Sequence, residues 1–247
     1  MAETTPDTAL ERVVVVSPHL DDAVFSLGAT IASLARRGVV VEVLTVLAGA
    51  PDSVAPAGGW DRRAGFATEG VASAARRAED ASACAILGAH PHWLPYGDGD
   101  YARHGTDAEI VGAVVGAAGG ASTVLLPGYP LRHADHAWLS LLLRHQLIDT
   151  PHVGLYVEEP YAWWDRKKGS PSLPAWLGKP VTFSRVRAKL GDRITKGRAI
   201  RAYTSQLEVL GLRRMGGANV LRLLSWEVRT GGESVAWDGE PSPLLPH

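Results

Sequence analysis

The chain has 247 residues, 46% of them hydrophobic and 21% charged, proportions that exclude a disordered or fibrous architecture. Lys+Arg 25 against Asp+Glu 26 leaves a net charge of -1, so no positive field exists to hold a nucleic-acid backbone or a membrane surface. The single cysteine, Cys84, excludes an internal disulfide and a multi-thiolate zinc site, restricts any metal to His, Asp and Glu, and fits a reducing, cytoplasmic compartment.

Met1 to Leu10 carries no basic residue, and the apolar run Val13 to Val16 is too short for a secretory signal, so residues 1–11 are expected to be a loosely ordered tail. Arg12 to Val16 reads as a strand apolar on both faces, as central parallel strands are. Val24, Leu27, Gly28, Ile31 and Leu34 then recur at helical spacing before Gly38, and Val39 to Leu47 is a second β-branched run, which completes a βαβ unit. An alanine-rich helix ends near Leu87-Gly88, and a short strand is expected at His92 to Leu94. Ile110 to Leu131 has no charged side chain and places Gly112 and Gly116 in GxxxG spacing. Gly119-Gly120, Pro127 and Pro130 would nevertheless interrupt a spanning helix of about 20 residues, so a buried helix, a turn and a strand at Thr123 to Leu126 are expected instead. Trp138 to Ile148 reads as a helix and His152 to Val157 as a strand. Ile200, Tyr203, Leu207 and Leu210 give one more amphipathic helix. This alternation predicts an α/β fold, a single three-layer domain over residues 1–247 with a mostly parallel, Rossmann-like sheet.

In such sheets ligands bind at the carboxyl ends of the strands. A dinucleotide site would place G-x-G-x-x-G after the first strand, but the chain has Ser17-Pro18-His19-Leu20-Asp21-Asp22 there. Capping of the following helix needs one aspartate, not two and a histidine. A second cluster, His133-Ala134-Asp135-His136, follows the Thr123 to Leu126 strand. If both loops share one sheet edge, His19, Asp22 and His136 form a two-histidine, one-carboxylate set that suits zinc and leaves a position open for water.

With P-H-x-D-D after the first strand and H-x-D-H later, the sequence resembles the PIG-L/LmbE-like zinc-dependent N-deacetylases. Arg76-Arg77-Ala78-Glu79 and Gly97-Asp98-Gly99 resemble that family's R-x-x-E helix and D-G turn, and the similarity runs from about Val13 to Leu147. Ala23 departs from it, since many members carry Glu there. The resemblance implies about one zinc per chain, though another divalent ion would suit the same donors, on His19, Asp22 and His136. It implies Asp21 as general base and His133 as the group that stabilises the developing oxyanion. A carboxylate beside the attacking water but off the metal can take its proton, and His133, if protonated, would put positive charge where negative charge appears. Asp135 either orients one of the histidines as an outer partner or caps the helix.

Arg76 and Asp98 match family positions that contact substrate hydroxyls; the alternatives are a surface pair of Arg76 with Glu79 and a plain Gly-Asp-Gly turn. Tyr161, Trp163 and Trp164 open a loop running to Pro180 with more aromatic surface than solvation needs, which fits substrate contact by Trp163 and Trp164, or packing into the core or a second subunit. His90-Pro91-His92 is a rival metal candidate without a carboxylate set. The expected function is removal of an N-acyl group, acetyl in the first instance, from an amino sugar or glycosylated small molecule, in primary metabolism or natural-product biosynthesis. A mycothiol-type thiol-conjugate amidase is the alternative within the class, and the Ala-, Gly-, Arg- and Trp-rich composition resembles a GC-rich bacterial source. A non-catalytic sugar-binding module and a nucleotide-sugar transferase are alternatives of another class, against which stand Asp21 and the missing Gly-rich loop. The expected partner is a small N-acylated glycoside, with no nucleic acid or membrane, and a homo-oligomer is open.

Overall fold

Four consecutive valines, Val13 to Val16, are fully buried because their strand, β1 (Arg12–Ser17), runs through the middle of the sheet with helices against both faces. The computed structural model describes residues 11–147, 149–166, 182–212 and 218–245. Among these, β1 is joined by β2 (Val40–Thr45), β3 (His90–Trp93), β4 (Thr123–Tyr129), β5 (His152–Val157), β6 (Ser184–Arg185) and β7 (Ser234–Asp238). The sheet order is β3-β2-β1-β4-β5-β7-β6. The first five strands are parallel, while β7 runs antiparallel to both β5 and β6. One reversed strand, β7, with β6 beyond it at the edge running the same way as β5, still gives the expected α/β, Rossmann-like architecture.

Alternation along β1 divides the core in two. Val13 and Val15 pack into one layer with α1 (Asp22–Arg36), α3 (Glu69–Leu87) and α7 (Leu190–Ile200). Val14 and Val16 pack into the other with α4 (Asp107–Ala118) and α5 (Ala134–Leu143). A period of two places one residue of each pair on each face, which is why a buried parallel strand reads as a continuous apolar run.

Several expectations need correction. The helix expected at Trp138 to Ile148 is α5, which begins four residues earlier at Ala134 and ends at Leu143. The His133 ring accepts the Asp135 N–H at 3.3 Å and starts the helix inside the motif, so His136 lies in its first turn; Ile148 is outside the described residues. The single helix expected through Ile200 and Leu210 is two, α7 and α8 (Thr204–Val209), broken at Tyr203 with φ -81 and ψ 62. Asp80 accepts the Tyr203 hydroxyl at 2.6 Å, and Glu79 accepts from the Ser205 amide at 2.8 Å, so α3 fixes the break. The expected strand at His92 to Leu94 runs from His90 to Trp93. The expected aromatic loop begins as a helix, α6 (Tyr161–Arg166); residues 167–181 are outside the described residues, as is the expected tail apart from Glu11. The remaining described helices are α2 (Gly59–Arg63) and α9 (Ala218–Arg229). No helix among the described residues is long and apolar enough to cross a membrane.

Candidate active site

The strand order reverses at β1, with β2 on one side and β4 on the other. The crevice beyond the carboxyl ends of β1 and β4 is where such sheets take their ligands. The chain turns sharply after β1: the Ser17 hydroxyl donates to the His19 carbonyl at 2.7 Å and accepts the Ala23 amide at 3.0 Å. Ser17 thus does the capping at the start of α1, and the Asp21 carboxylate makes no capping bond. Asp22 contributes to the turn by accepting the His19 amide at 2.9 Å.

The structure brings both motifs together. His19 Nδ1 lies 3.0 Å from His136 Nε2, and Asp22 Oδ2 lies 3.2 Å from each of them. Three ligand atoms about 2.05 Å from a tetrahedral zinc stand about 3.3 Å apart, so this triangle fits such an ion with little adjustment. Each imidazole is backed by a carboxylate on its other nitrogen: His19 Nε2 by Asp135 Oδ2 at 3.2 Å, His136 Nδ1 by Glu158 Oε1 at 2.5 Å. With the ring protons on those outer nitrogens, both inner lone pairs converge on the point that Asp22 also faces, the arrangement common around bound metals. Of its two expected roles Asp135 takes the outer-partner one, and it is held in turn by Arg103 at 2.7 Å and the Gly99 amide at 3.0 Å.

The electrostatics favour positive charge at this point. Burial opposes protonation of His19, yet its bonds to Asp135 and Asp22 prevail and raise it to about 9. His136 is raised well above the ordinary value in the same way, Asp22 and Glu158 outweighing burial. The two imidazoles hold Asp22 far below the usual carboxylate range despite its burial. The carboxylates around the two rings thus favour positive charge at this point.

His133 also brings a ring nitrogen within 4.8 Å of those of His19 and His136. Asp22 Oδ2 is 3.2 Å from both inner nitrogens, whereas the His133 side chain is 44% exposed and its Nδ1 accepts the Asp135 amide. Burial, then the neighbouring imidazoles, lower the His133 pKa. With Nδ1 accepting the Asp135 amide, the ring presents Nε2 as its hydrogen-bond donor. Asp21 lies beside the triangle at the cavity wall, and its carboxylate accepts no hydrogen bond among the described residues. Burial, and after it the charge of Asp22, push it up to about 8, with Arg76 opposing.

These groups form one end of a cavity of about 390 Å³ that Arg76 and Asp98 also line. Arg76 is 8% exposed and pairs with Asp61 at 3.4 Å and Asp98 at 3.9 Å. Its alternative partner Glu79 is turned away toward Thr204 and Ser205. Of the two tryptophans expected at the substrate, neither Trp163 nor Trp164 lines the cavity. Successive helical residues point about 100° apart, so α6 directs Tyr161 into the cavity and Trp163 against the main core, while Trp164 meets Tyr161 edge-on at 5.6 Å. The aromatic lining of the cavity comes instead from Trp60 on α2 together with Phe25 and Tyr161. His92, half of the rival metal candidate, pairs with Glu42 at 2.7 Å near the sheet edge. Among the residues of the site that escaped the sequence reading are Trp60 and Glu158. Glu158 directly follows β5, where the carboxyl-end rule applied to β1 and β4 would also have pointed.

A family model described as PIG-L: GlcNAc-PI de-N-acetylase matches residues 14–146. No curated protein matches the chain. Among solved structures, the A40926 pseudoaglycone deacetylase Dbv21 is 28% identical with a TM-score of 0.73, over 92% of this chain and 96% of that one. A triple mutant of a deacetylase in the teicoplanin biosynthetic pathway is 28% identical with a TM-score of 0.74, over 93% and 100%. A 4-carboxy-2-hydroxymuconate hydratase from Pseudomonas putida, 18% identical with a TM-score of 0.64 over 94% and 98%, shows the fold alone. Since the matched segment spans more than half of the 247 residues and contains both motifs that build the triangle, the chain belongs to the PIG-L family.

Proposed function

We propose that this chain is a zinc-dependent N-deacetylase that hydrolyses the N-acyl amide of an amino sugar within a larger glycosylated molecule. The observation that carries this reading is the triangle of His19, Asp22 and His136 with the uncapped Asp21 beside it. The two 28% identical deacetylases support the reaction class. When bound, the cation would polarise the amide carbonyl and acidify water near it. Asp21, off the triangle and with an affinity for protons near neutrality, takes the proton of the attacking water and passes it to the nitrogen as the C–N bond breaks, leaving amine and carboxylate products. His133 donates its Nε2–H to the carbonyl oxygen as that atom gains negative charge. Arg76 and Asp98 offer a guanidinium and a carboxylate to sugar hydroxyls.

The test is release of free amine by zinc-loaded protein from N-acetylglucosaminides, mycothiol-type conjugates and N-acyl glycopeptides. No release from any of them by fully loaded protein overturns the reading. Elemental analysis is expected to find about one zinc per chain and its loss in His136→Ala, because a pair of ligands holds the ion poorly. Glu158→Gln is expected to weaken zinc affinity about 10- to 100-fold in chelator competition, the usual cost of losing a carboxylate behind a ligating histidine. Unchanged affinity would remove Glu158 from the site.

A further inference from the structure

One end of the cavity is polar, formed by the triangle, Asp21, Arg76 and Asp98, and none of those groups accounts for what lines it elsewhere. Trp60, Leu210, Phe25 and Tyr161 also border it. Trp60 is held firmly although only half-buried. Its indole N–H donates to Gln206 Oε1 at 2.8 Å, and its backbone N–H donates to Asp100 at 2.9 Å. Gln206 is itself 1% exposed and donates to the Ser205 hydroxyl at 3.0 Å, which donates to Glu79 on α3 at 2.7 Å. The indole orientation is thus set by a chain of bonds from α2 through α8 to α3. The guanidinium of Arg63, one helical turn on and exposed, stands 5.1 Å from the Trp60 ring centroid.

We propose that Trp60, with Arg63, selects substrates in which the amide-bearing sugar carries an aromatic substituent; the proposal rests on the deacetylase reading above. An indole and a guanidinium are both planar and both prefer planar π partners, so together they discriminate by shape and quadrupole where a purely aliphatic wall would reward any apolar bulk. A bonded indole N–H also lowers the conformational entropy lost when a ligand stacks on the ring. An alkyl substituent gains burial against Leu210 and Phe25 but not the face-specific attraction.

The experiment measures binding of methyl, octyl and phenyl N-acetylglucosaminides to zinc-loaded Asp21→Asn protein by calorimetry, with hydrolysis by the native enzyme alongside. Binding needs no turnover, so the Trp60 assignment is decided whether or not the native enzyme hydrolyses these three glycosides, while the deacetylase reading stands or falls on the wider substrate set above. The phenyl glycoside is expected to bind about tenfold more tightly than the methyl one, equal to about 1.4 kcal/mol, and more tightly than the octyl one. Adding Trp60→Leu should bring the phenyl-to-methyl ratio close to one, whereas Trp60→Phe should keep most of it, because Phe restores an aromatic face and Leu only apolar bulk. A native ratio near one, an octyl preference, or equal ratios in the Leu and Phe variants overturns the proposal.

Discussion

Asp21→Asn is expected to retain its fold and its zinc while kcat falls by about 10²-fold or more, the scale on which lost general acid–base catalysis is felt. The structure sharpens the contrast with the next residue. Asp22 Oδ2 is the third corner of the triangle and also accepts the His19 amide, so Asp22→Asn should lose zinc as well as activity. The Asp21 carboxylate makes no bond that the turn requires, since Ser17 caps the helix. The Asn variant therefore removes basicity and little else. The pH dependence follows with its sign. A base works deprotonated, so kcat/KM in the native enzyme falls as pH falls through the Asp21 pKa. Burial and Asp22 set that pKa at about 8 without the cation, and a bound cation moves it lower. The zinc-free protein gives a second readout. The folded-state pKa of this carboxyl is raised, so in the unfolded chain it ionises first and folding takes up a proton; the penalty on stability is absent in acid and grows as pH rises toward 8. Zinc-free Asp21→Asn should accordingly melt higher than zinc-free native protein at pH 8, with the difference vanishing near pH 4. Near-native turnover of the zinc-loaded variant would move the proton to another group, with His133 the nearest.

How much of this site could be read from the sequence depends on how local each signal is. His19, Asp21 and Asp22 lie within four residues after an unmistakable strand, and His133, Asp135 and His136 within four after another. The parallel-sheet rule alone brings those two loops to one edge. Glu158 supports His136 from the end of a third strand, and apart from that position nothing in Val157-Glu158-Glu159-Pro160 distinguishes it from a surface carboxylate. Trp60 sits on a helix of five residues whose position depends on contacts with Asp100 and Gln206, 40 and 146 residues away. Such an element has no periodicity to read. The same limit explains the tryptophans near 163. Their aromatic excess was visible, but the direction each ring takes is fixed by α6, and a segment of six helical residues before a Pro-rich stretch carries too little pattern to be told from a loop. The edge strands β6 and β7 were missed for a related reason: β6 is two residues long, and Ser234 to Asp238 holds only three apolar residues in a row.

The largest expected effect on stability lies away from the cavity, at Lys196. Its side chain is fully buried, with Nζ 2.5 Å from Glu227 and 2.7 Å from Glu233. Glu233 in turn accepts the amides of Ala29 and Thr30 at 2.9 and 2.7 Å and the Thr30 hydroxyl at 2.6 Å. Those amides follow Leu27, whose φ of -126 and ψ of 16 break the regularity of α1, so the carboxylate satisfies donors near the kink. The lysine stem crosses α1 so closely that a Cβ on Gly28 would meet its Cγ at 2.7 Å, which is why a glycine stands inside that helix. Lys196→Met fills much of the same volume but leaves two buried carboxylates without their cation. Removing one partner of a buried ionic group costs about 3–5 kcal/mol, which for a chain of this size lowers Tm by on the order of 10 °C. Burial already raises the Glu227 pKa against the pull of Lys196. Without that pull the carboxylate should go higher still, so the loss should grow with rising pH and shrink in acid. Glu227→Gln in the Lys196→Met background should recover part of the loss, since it removes one of the stranded charges. Thermal melts of the three proteins at pH 5 and pH 8 read all of this. A loss below about 1 kcal/mol at both pH values would mean that water reaches the triad or that α1 and α7 separate to admit it, and that the kink in α1 is held by packing rather than by charge.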